Sequence, residues 1–248
     1  MQIETYDGNT WVAYLDISGF KAMMKDKKKA LDALDHFYQY GYDVLRDHAD
    51  RYRRELAGGP AMNGLFFSDC GILFLRLNNT HAENALQEVQ PLLDIVATLS
   101  RKMIRHDIMV STSIAFGHFR YEERQGFQVM QKNMVYGNAF VSAYLDNEVN
   151  EPRLKPGHCR IVLDELAPLA PRLNQGLTEL RERKMRYQGH LMYYWMVEHD
   201  DDIGRFQEEF SRREAHDWKG MCKLINTYAH GPTRTQRGTE ANVGGANA

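Results

Sequence analysis

The chain has 248 residues, 43% hydrophobic and 26% charged, enough for one sizeable core and a short appendage. Its formal net charge of −2 supplies no global basic field, so no nucleic-acid binding is expected. No apolar run is long enough to span a membrane and residues 1–7 carry no signal-peptide pattern; Cys70, Cys159 and Cys222, odd in number and without metal-ligand spacing, fit free thiols in the cytoplasm.

Residues 11–15 (Trp-Val-Ala-Tyr-Leu) read as a buried strand, and Asp16 stands at its exit. Ser18-Gly19-Phe20 then opens a helix. A carboxylate leaving an apolar strand costs stability unless something binds it, and helix-start amides behind it suit phosphate. Two readings fit: a cation site beside a phosphate cradle, or an ordinary cap in which Asp16 or Ser18 accepts backbone N–H bonds. Residues 21–54 read as one helix, with Leu31, Leu34, Phe37, Tyr38, Tyr42 and Leu45 on its apolar side and Lys27, Lys28 and Lys29 on a solvated one.

After the break at Ala57-Gly58-Gly59-Pro60, two apolar runs flank Ser68-Asp69-Cys70-Gly71 and read as a β-hairpin with Asp69 at its tip. Asp16 and Asp69 thus lie at corresponding strand ends. On neighbouring strands the two carboxylates converge, as a two-metal phosphoryl-transfer site requires; alone, Asp69 is equally an ordinary turn residue.

Residues 80–105 read as a second long helix bent at Pro91, residues 108–119 as a strand, 127–131 as a short strand, and 135–145 as a turn followed by a helix. Arg120, in the charged turn after the strand, is either a phosphate ligand or a solvated arginine. Residues 159–163 form a strand, and 184–189 with 191–197 a closing hairpin whose aromatic cluster Tyr193-Tyr194-Trp195 reads as core. Residues 206–228 are polar and helical. From Gly231 the composition turns to Gly, Thr, Asn and Ala, and disorder is expected. The element order predicts an α+β fold with a mostly antiparallel sheet. The expected divisions are a catalytic domain over residues 1–200, a helical extension over 201–230 and a tail over 231–248.

Taken together, these segments resemble the catalytic domain of class III nucleotide cyclases, from about residue 11 to 197. Leu15-Asp16-Ile17-Ser18-Gly19-Phe20 resembles the first metal motif, and Phe67-Ser68-Asp69 the second, with Ser in place of the usual Gly. Ser113-Ile114-Ala115-Phe116-Gly117 resembles the core strand that follows. The stretch 135–143 resembles the turn and helix of the transition-state residues, and Arg186-Tyr187-Gln188-Gly189 through Trp195 the closing hairpin. The resemblance implies a ferredoxin-like domain, a head-to-tail homodimer with composite active sites, and a nucleoside triphosphate substrate. Asp16 and Asp69, with the Ile17 carbonyl, would hold two Mg²⁺ or Mn²⁺ ions. The amides of Ser18, Gly19 and Phe20 would hold the triphosphate, with Arg120 and Arg186 as further phosphate ligands.

Two departures carry information. The base-reading positions of the purine cyclases fall on Leu65 and Met134, which can make neither the adenylate nor the guanylate pairing. Asn63 and Asn133 lie beside them, and an amide both donates and accepts, as a uracil or cytosine edge needs. This resembles the divergent bacterial pyrimidine cyclases of Pycsar antiphage defence, and implies a UTP or CTP substrate, UTP first. The product would be sensed by a separate effector protein. The transition-state Asn and Arg fall on Val141 and Leu145, leaving Tyr144, Arg120 and Arg186 as substitutes. The competing expectations are a degenerate domain that binds without turnover, and an atypical purine cyclase.

Overall fold

The computed structural model describes residues 5–55, 61–77, 85–125, 131–149, 151–164, 166, 184–187, 190–197, 202–211 and 216–230. The chain divides into two compact units, Met1–Trp195 and Met196–Ala248.

The first unit is built on β1 (Tyr6–Ile17), a twelve-residue strand that pairs antiparallel with a neighbour on each side. Its partners are β3 (Cys70–Arg76) and β4 (Val110–Gln125). Outside β3 lies β2 (Ala61–Phe67). Between β1 and β2 run α1 (Phe20–Met23) and α2 (Lys27–Glu55); between β3 and β4 run α3 (Ala85–Glu88) and α4 (Gln90–Ile104). The resulting order β2-β3-β1-β4, from a β-α-β-β-α-β chain, is a ferredoxin-like arrangement. The sheet continues through β6 (Cys159–Ile161), β8 (Leu191–Tyr193) and β7 (Met185–Tyr187), while β5 (Gln131–Tyr136) pairs with β4. Only the β4–β6 pairing is parallel, so the sheet is mixed and mostly antiparallel, as expected for an α+β fold.

Alternation along β1 sends successive side chains to opposite faces. Val12 and Tyr14 join Ile72, Phe74, Ala115 and Phe119 in a cluster covered by Ala139 and Ala143 of α5 (Asn138–Glu148). Trp11, Ala13, Leu15 and Ile17 are fully buried on the other face. There the Trp11 indole N–H donates to the Ala85 carbonyl at 2.7 Å.

Several elements differ from their sequence-based outlines. The single helix expected over 21–54 is broken at residues 24–26, where the Asp26 carboxylate accepts N–H bonds from Lys28 and Lys29 and caps α2. The face that α2 buries is Ala30, Ala33, Phe37, Gly41, Val44 and His48; Leu31, Tyr38 and Tyr42 are exposed. Small residues hold that face because the Phe66 ring packs on it: a Cβ at Gly41 would lie 2.4 Å from a ring carbon. Pro91 does not bend a helix but sits in the first turn of α4, where its missing N–H costs nothing. The strand expected over 127–131 lies outside the described residues apart from Gln131, which opens β5. Residues 165 and 167–173, and the tail from 231, also lie outside them.

The second unit contains α6 (Asp202–Ser211) and α7 (His216–His230). The Phe206 ring of α6 and the Trp218 ring of α7 meet at 6.5 Å. No described helix is long and apolar enough to cross a membrane.

Candidate active site

The site grows from the register of β1 against β3. Asp16 pairs with Cys70, and the Ile17 N–H donates to the Asp69 carbonyl at 2.9 Å. Asp69 occupies the two-residue turn between β2 and β3, closed by the Phe67–Cys70 pair. The two acids, 53 positions apart in the chain, therefore meet at one sheet edge. Ser68 takes a left-handed φ of 52°, a conformation that costs an L residue energy and glycine none; this is the position where the resembling motif has Gly.

Asp16 is half-buried, and its carboxyl is pushed up to about 7. Burial is the largest cause, followed by the negative charges of Glu148 and Asp69; the Cys70 thiol, whose Sγ lies 3.7 Å from Asp16 Oδ1, works the other way. Among the described residues, no cationic side chain is among the groups that act on it. The Tyr14 hydroxyl donates to Cys70 Sγ at 3.0 Å and is held far above its usual range by burial. Burial likewise raises the Cys70 thiol to about 11.

The donor set suits a hard divalent ion. Mg²⁺ and Mn²⁺ take oxygen ligands, and Mg²⁺ is commonly held by one or two carboxylates plus substrate phosphates. Asp16 and Asp69 supply two carboxylates, and among the described residues no cationic side chain acts on Asp16. Among the described residues no group of three or more His, Cys, Asp or Glu side chains is placed to hold a metal ion. Ile17, the last residue of β1, follows Asp16 and lies opposite Asp69, to which its N–H donates.

The phosphate cradle is narrower than its sequence implies. The Ser18 N–H donates to the Met109 carbonyl at 2.9 Å, and its Oγ lies 2.6 Å from Ser111 Oγ, so its amide is occupied. Gly19, at φ 74°, precedes an α1 of only four residues. The first-turn amides of Gly19 and Phe20 lie outside the intrahelical pattern, whereas those of Ala22 and Met23 bond to the Gly19 carbonyl.

The remaining expected site residues divide into two groups. Asn63 pairs with Phe74, and Leu65 with Ile72, which puts both on the Asp16 face of the sheet. Leu65 packs against the cluster containing Tyr14, and Asn63 Nδ2 is buried without a partner among the described residues. Tyr144 of α5 sets its ring edge-on to Tyr14 at 5.4 Å and keeps 40% of its surface exposed. These residues share the face of Asp16.

Arg120, Arg186 and Met134 are not brought to that place within one chain. Arg120 stands opposite Asp7, nine residues from Asp16 and so roughly 30 Å along the strand. Its guanidinium is engaged by Asp7 at 3.1 Å and Glu122 at 3.0 Å. Arg186 lies on β7, four strands from β1 and roughly 19 Å across the sheet. Met134 pairs with Glu122, and alternation puts it on the face opposite Val135, which packs with the Tyr14 cluster. Asn133 is in register with Glu123 on β5.

Two features went unread in the sequence. Glu148, at the end of α5, acts electrostatically on both Asp16 and Tyr14. A buried ion pair anchors that end of the helix: Arg160 Nε donates to Asp146 Oδ2 at 2.9 Å, and Arg160 also donates to the Asp146 and Pro152 carbonyls. Ser113 Oγ donates to the same carboxylate at 2.6 Å. An acid and a base fourteen residues apart, each in a mixed-polarity segment, give no periodic signal.

No family model matches the chain, and no curated protein matches it. Among solved structures, the chain is similar to the adenylyl cyclase CyaB from P. aeruginosa, at 14% identity over 68% of this chain and 84% of that one, with a TM-score of 0.47. It is also similar to the guanylate cyclase domain of RhGC from Catenaria anguillulae in complex with GTP, at 14% identity, 67% and 84% coverage and a TM-score of 0.46. The guanylyl cyclase Cya2 matches at 14% identity, 66% and 80% coverage and a TM-score of 0.45.

Proposed function

We propose that the protein is a nucleotide cyclase that converts a pyrimidine ribonucleoside triphosphate, UTP in preference to CTP, to its 3′,5′-cyclic monophosphate and pyrophosphate. The observation that carries this reading is the convergence of Asp16 and Asp69 at one strand end, with Asp16 raised to about 7 by burial and like charge and, among the described residues, no cationic side chain acting on it. Asp16, Asp69 and the Ile17 carbonyl would hold Mg²⁺ or Mn²⁺. Such cations acidify the ribose 3′-hydroxyl and neutralise the triphosphate. The chain's own residues bind and orient: the Gly19 and Phe20 amides face the phosphates, and Tyr144 covers the Tyr14 side of the site. The 3′-hydroxyl gives up its proton to solvent, its oxygen attacks the α-phosphorus, the bond to the bridging β-phosphate oxygen breaks, and pyrophosphate leaves with that electron pair.

Leu65 favours a pyrimidine: an apolar side chain on the Asp16 face leaves the polar edge of a purine unpaired, whereas Asn63 there has a buried amide without a partner among the described residues. Arg120 and Arg186, distant from Asp16 in one chain, fit a composite site completed by a second copy in a head-to-tail homodimer. The cyclic product would act through a separate effector protein in antiphage defence, in the cytoplasm.

One observation favours a second reading, nucleotide binding without turnover. Val141 and Leu145 present 47% and 38% of their surface to solvent on α5, where the resemblance has an Asn and an Arg, and neither can donate to a transition state. Incubation of the purified protein with each ribonucleoside triphosphate and Mn²⁺, followed by mass spectrometry, separates the readings. A cyclic pyrimidine monophosphate that disappears in Asp16→Ala and Asp69→Ala is expected. No product from any substrate favours the second reading, and cyclic AMP or GMP as main product refutes the assignment of Leu65.

A further inference from the structure

Helix α5 lies on the Asp16 face and runs in the same direction as β1. Near its start, Asn138 faces Gly117, which is in register with Thr10; near its end, Asp146 bonds to Ser113, which is in register with Tyr14. Four residues of helix advance about 6 Å and two residues of strand about 6.6 Å. One turn beyond the Tyr144–Tyr14 contact, this advance brings Glu148 to the level of Asp16 along β1.

A second observation at the same level points to a missing ligand. Asn147 follows Ala143 by one turn, and Ala143 is packed onto the sheet beside Tyr14. Only 7% of Asn147 is exposed, and its Nδ2 is buried with no partner among the described residues. A buried amide donor left unpaired costs free energy, and an oxygen at that position, from a water or a ligand, satisfies it. The last turn of α5 thus brings a carboxylate and a donor with no partner among the described residues to the level of Asp16. The Asp146–Arg160–Ser113 network holds this turn in place, and Arg160 is committed to Asp146 and Pro152.

We propose that Glu148 is an outer ligand of the cation site, accepting a hydrogen bond from a water on a divalent ion held by Asp16 and Asp69, with Asn147 donating to an oxygen of the same hydration shell. This rests on the cation-site reading given above and adds to it a residue from a third element. Outer-shell partners of this kind tune metal affinity by about 10- to 100-fold.

The test is Mn²⁺ binding to the full chain without nucleotide, measured by electron paramagnetic resonance of the free ion. Glu148→Gln should weaken the Asp16-dependent binding, defined as that lost in Asp16→Asn, by about tenfold or more. Asp94→Asn, an exposed carboxylate on α4 bonded to Gln90, should leave it unchanged. The melting temperature of Glu148→Gln without metal should not fall, since the change removes a repulsion. Unchanged affinity in Glu148→Gln, or an equal loss in Asp94→Asn, overturns the proposal while leaving any cyclase activity standing. Tenfold weakening in a protein that makes no cyclic nucleotide supports the proposal and sinks the proposed reaction alone. Binding that Asp16→Asn does not change overturns both.

Discussion

Replacing Asp16 by Asn should make the metal-free protein more stable while abolishing its function. The Asp16 carboxyl is raised from 3.8 to about 7, so between these values the folded chain holds a proton that the unfolded chain has released. Stability contributed by this group is full below pH 4, falls as pH rises through the window, and is lost above about 7, where a buried carboxylate must ionise beside Glu148 and Asp69. A difference of about three pH units at ~1.36 kcal/mol each sets an upper limit of about 4 kcal/mol. Asp16 is only half-buried, and solvent screening reduces this to roughly 2 kcal/mol. Asn has the same shape without the charge. For a chain of this length, the melting temperature of Asp16→Asn should exceed that of the wild type by roughly 4–8 °C at pH 8 and match it at pH 4, by calorimetry in the presence of a chelator. Excess Mn²⁺ at pH 8 should reverse the order, because binding to the folded state alone stabilises only the protein that binds. A lower melting temperature for Asp16→Asn at pH 8, or a gain that does not vary with pH, refutes the reasoning.

Other perturbations follow from particular contacts. Ser68→Gly removes a left-handed strain and should raise stability by about 1 kcal/mol in urea unfolding. Gly137→Ala should cost more than ~3 kcal/mol, because φ is 134° and a Cβ would lie 2.2 Å from the His118 carbonyl oxygen; the loss is measurable as a lowered denaturation midpoint. Arg160→Met leaves Asp146 buried and unpaired, and should cost about 3–5 kcal/mol by the same measurement, whereas the double change Arg160→Met with Asp146→Leu should recover much of it.

What was legible in the sequence is what local pattern controls. The apolar run before Asp16 and the hairpin around Asp69 were readable because strand interiors and tight turns have one-dimensional signatures, and antiparallel pairing then brings the two acids together. The buried face of α2 was not, because Leu31, Tyr38 and Tyr42 face water and Gly41 makes room for Phe66. Arg120 was legible as a residue but not as a place: only the strand register shows that it lies at the Asp7 end of β1 and is engaged there. Glu148 and Asn147 carry no motif, and their relation to Asp16 depends on how far a helix advances along a strand it covers.

The central claim, that Asp16 and Asp69 jointly bind divalent cations beneath a triphosphate, is tested most directly by crystals grown with Mn²⁺ and a UTP analogue that cannot cyclise, using the anomalous scattering of manganese. The account predicts anomalous peaks about 2.0–2.3 Å from oxygens of both carboxylates and bridged to the phosphates. Density for nucleotide with no peak beside either Asp16 or Asp69, or with manganese held elsewhere on the chain, would contradict it.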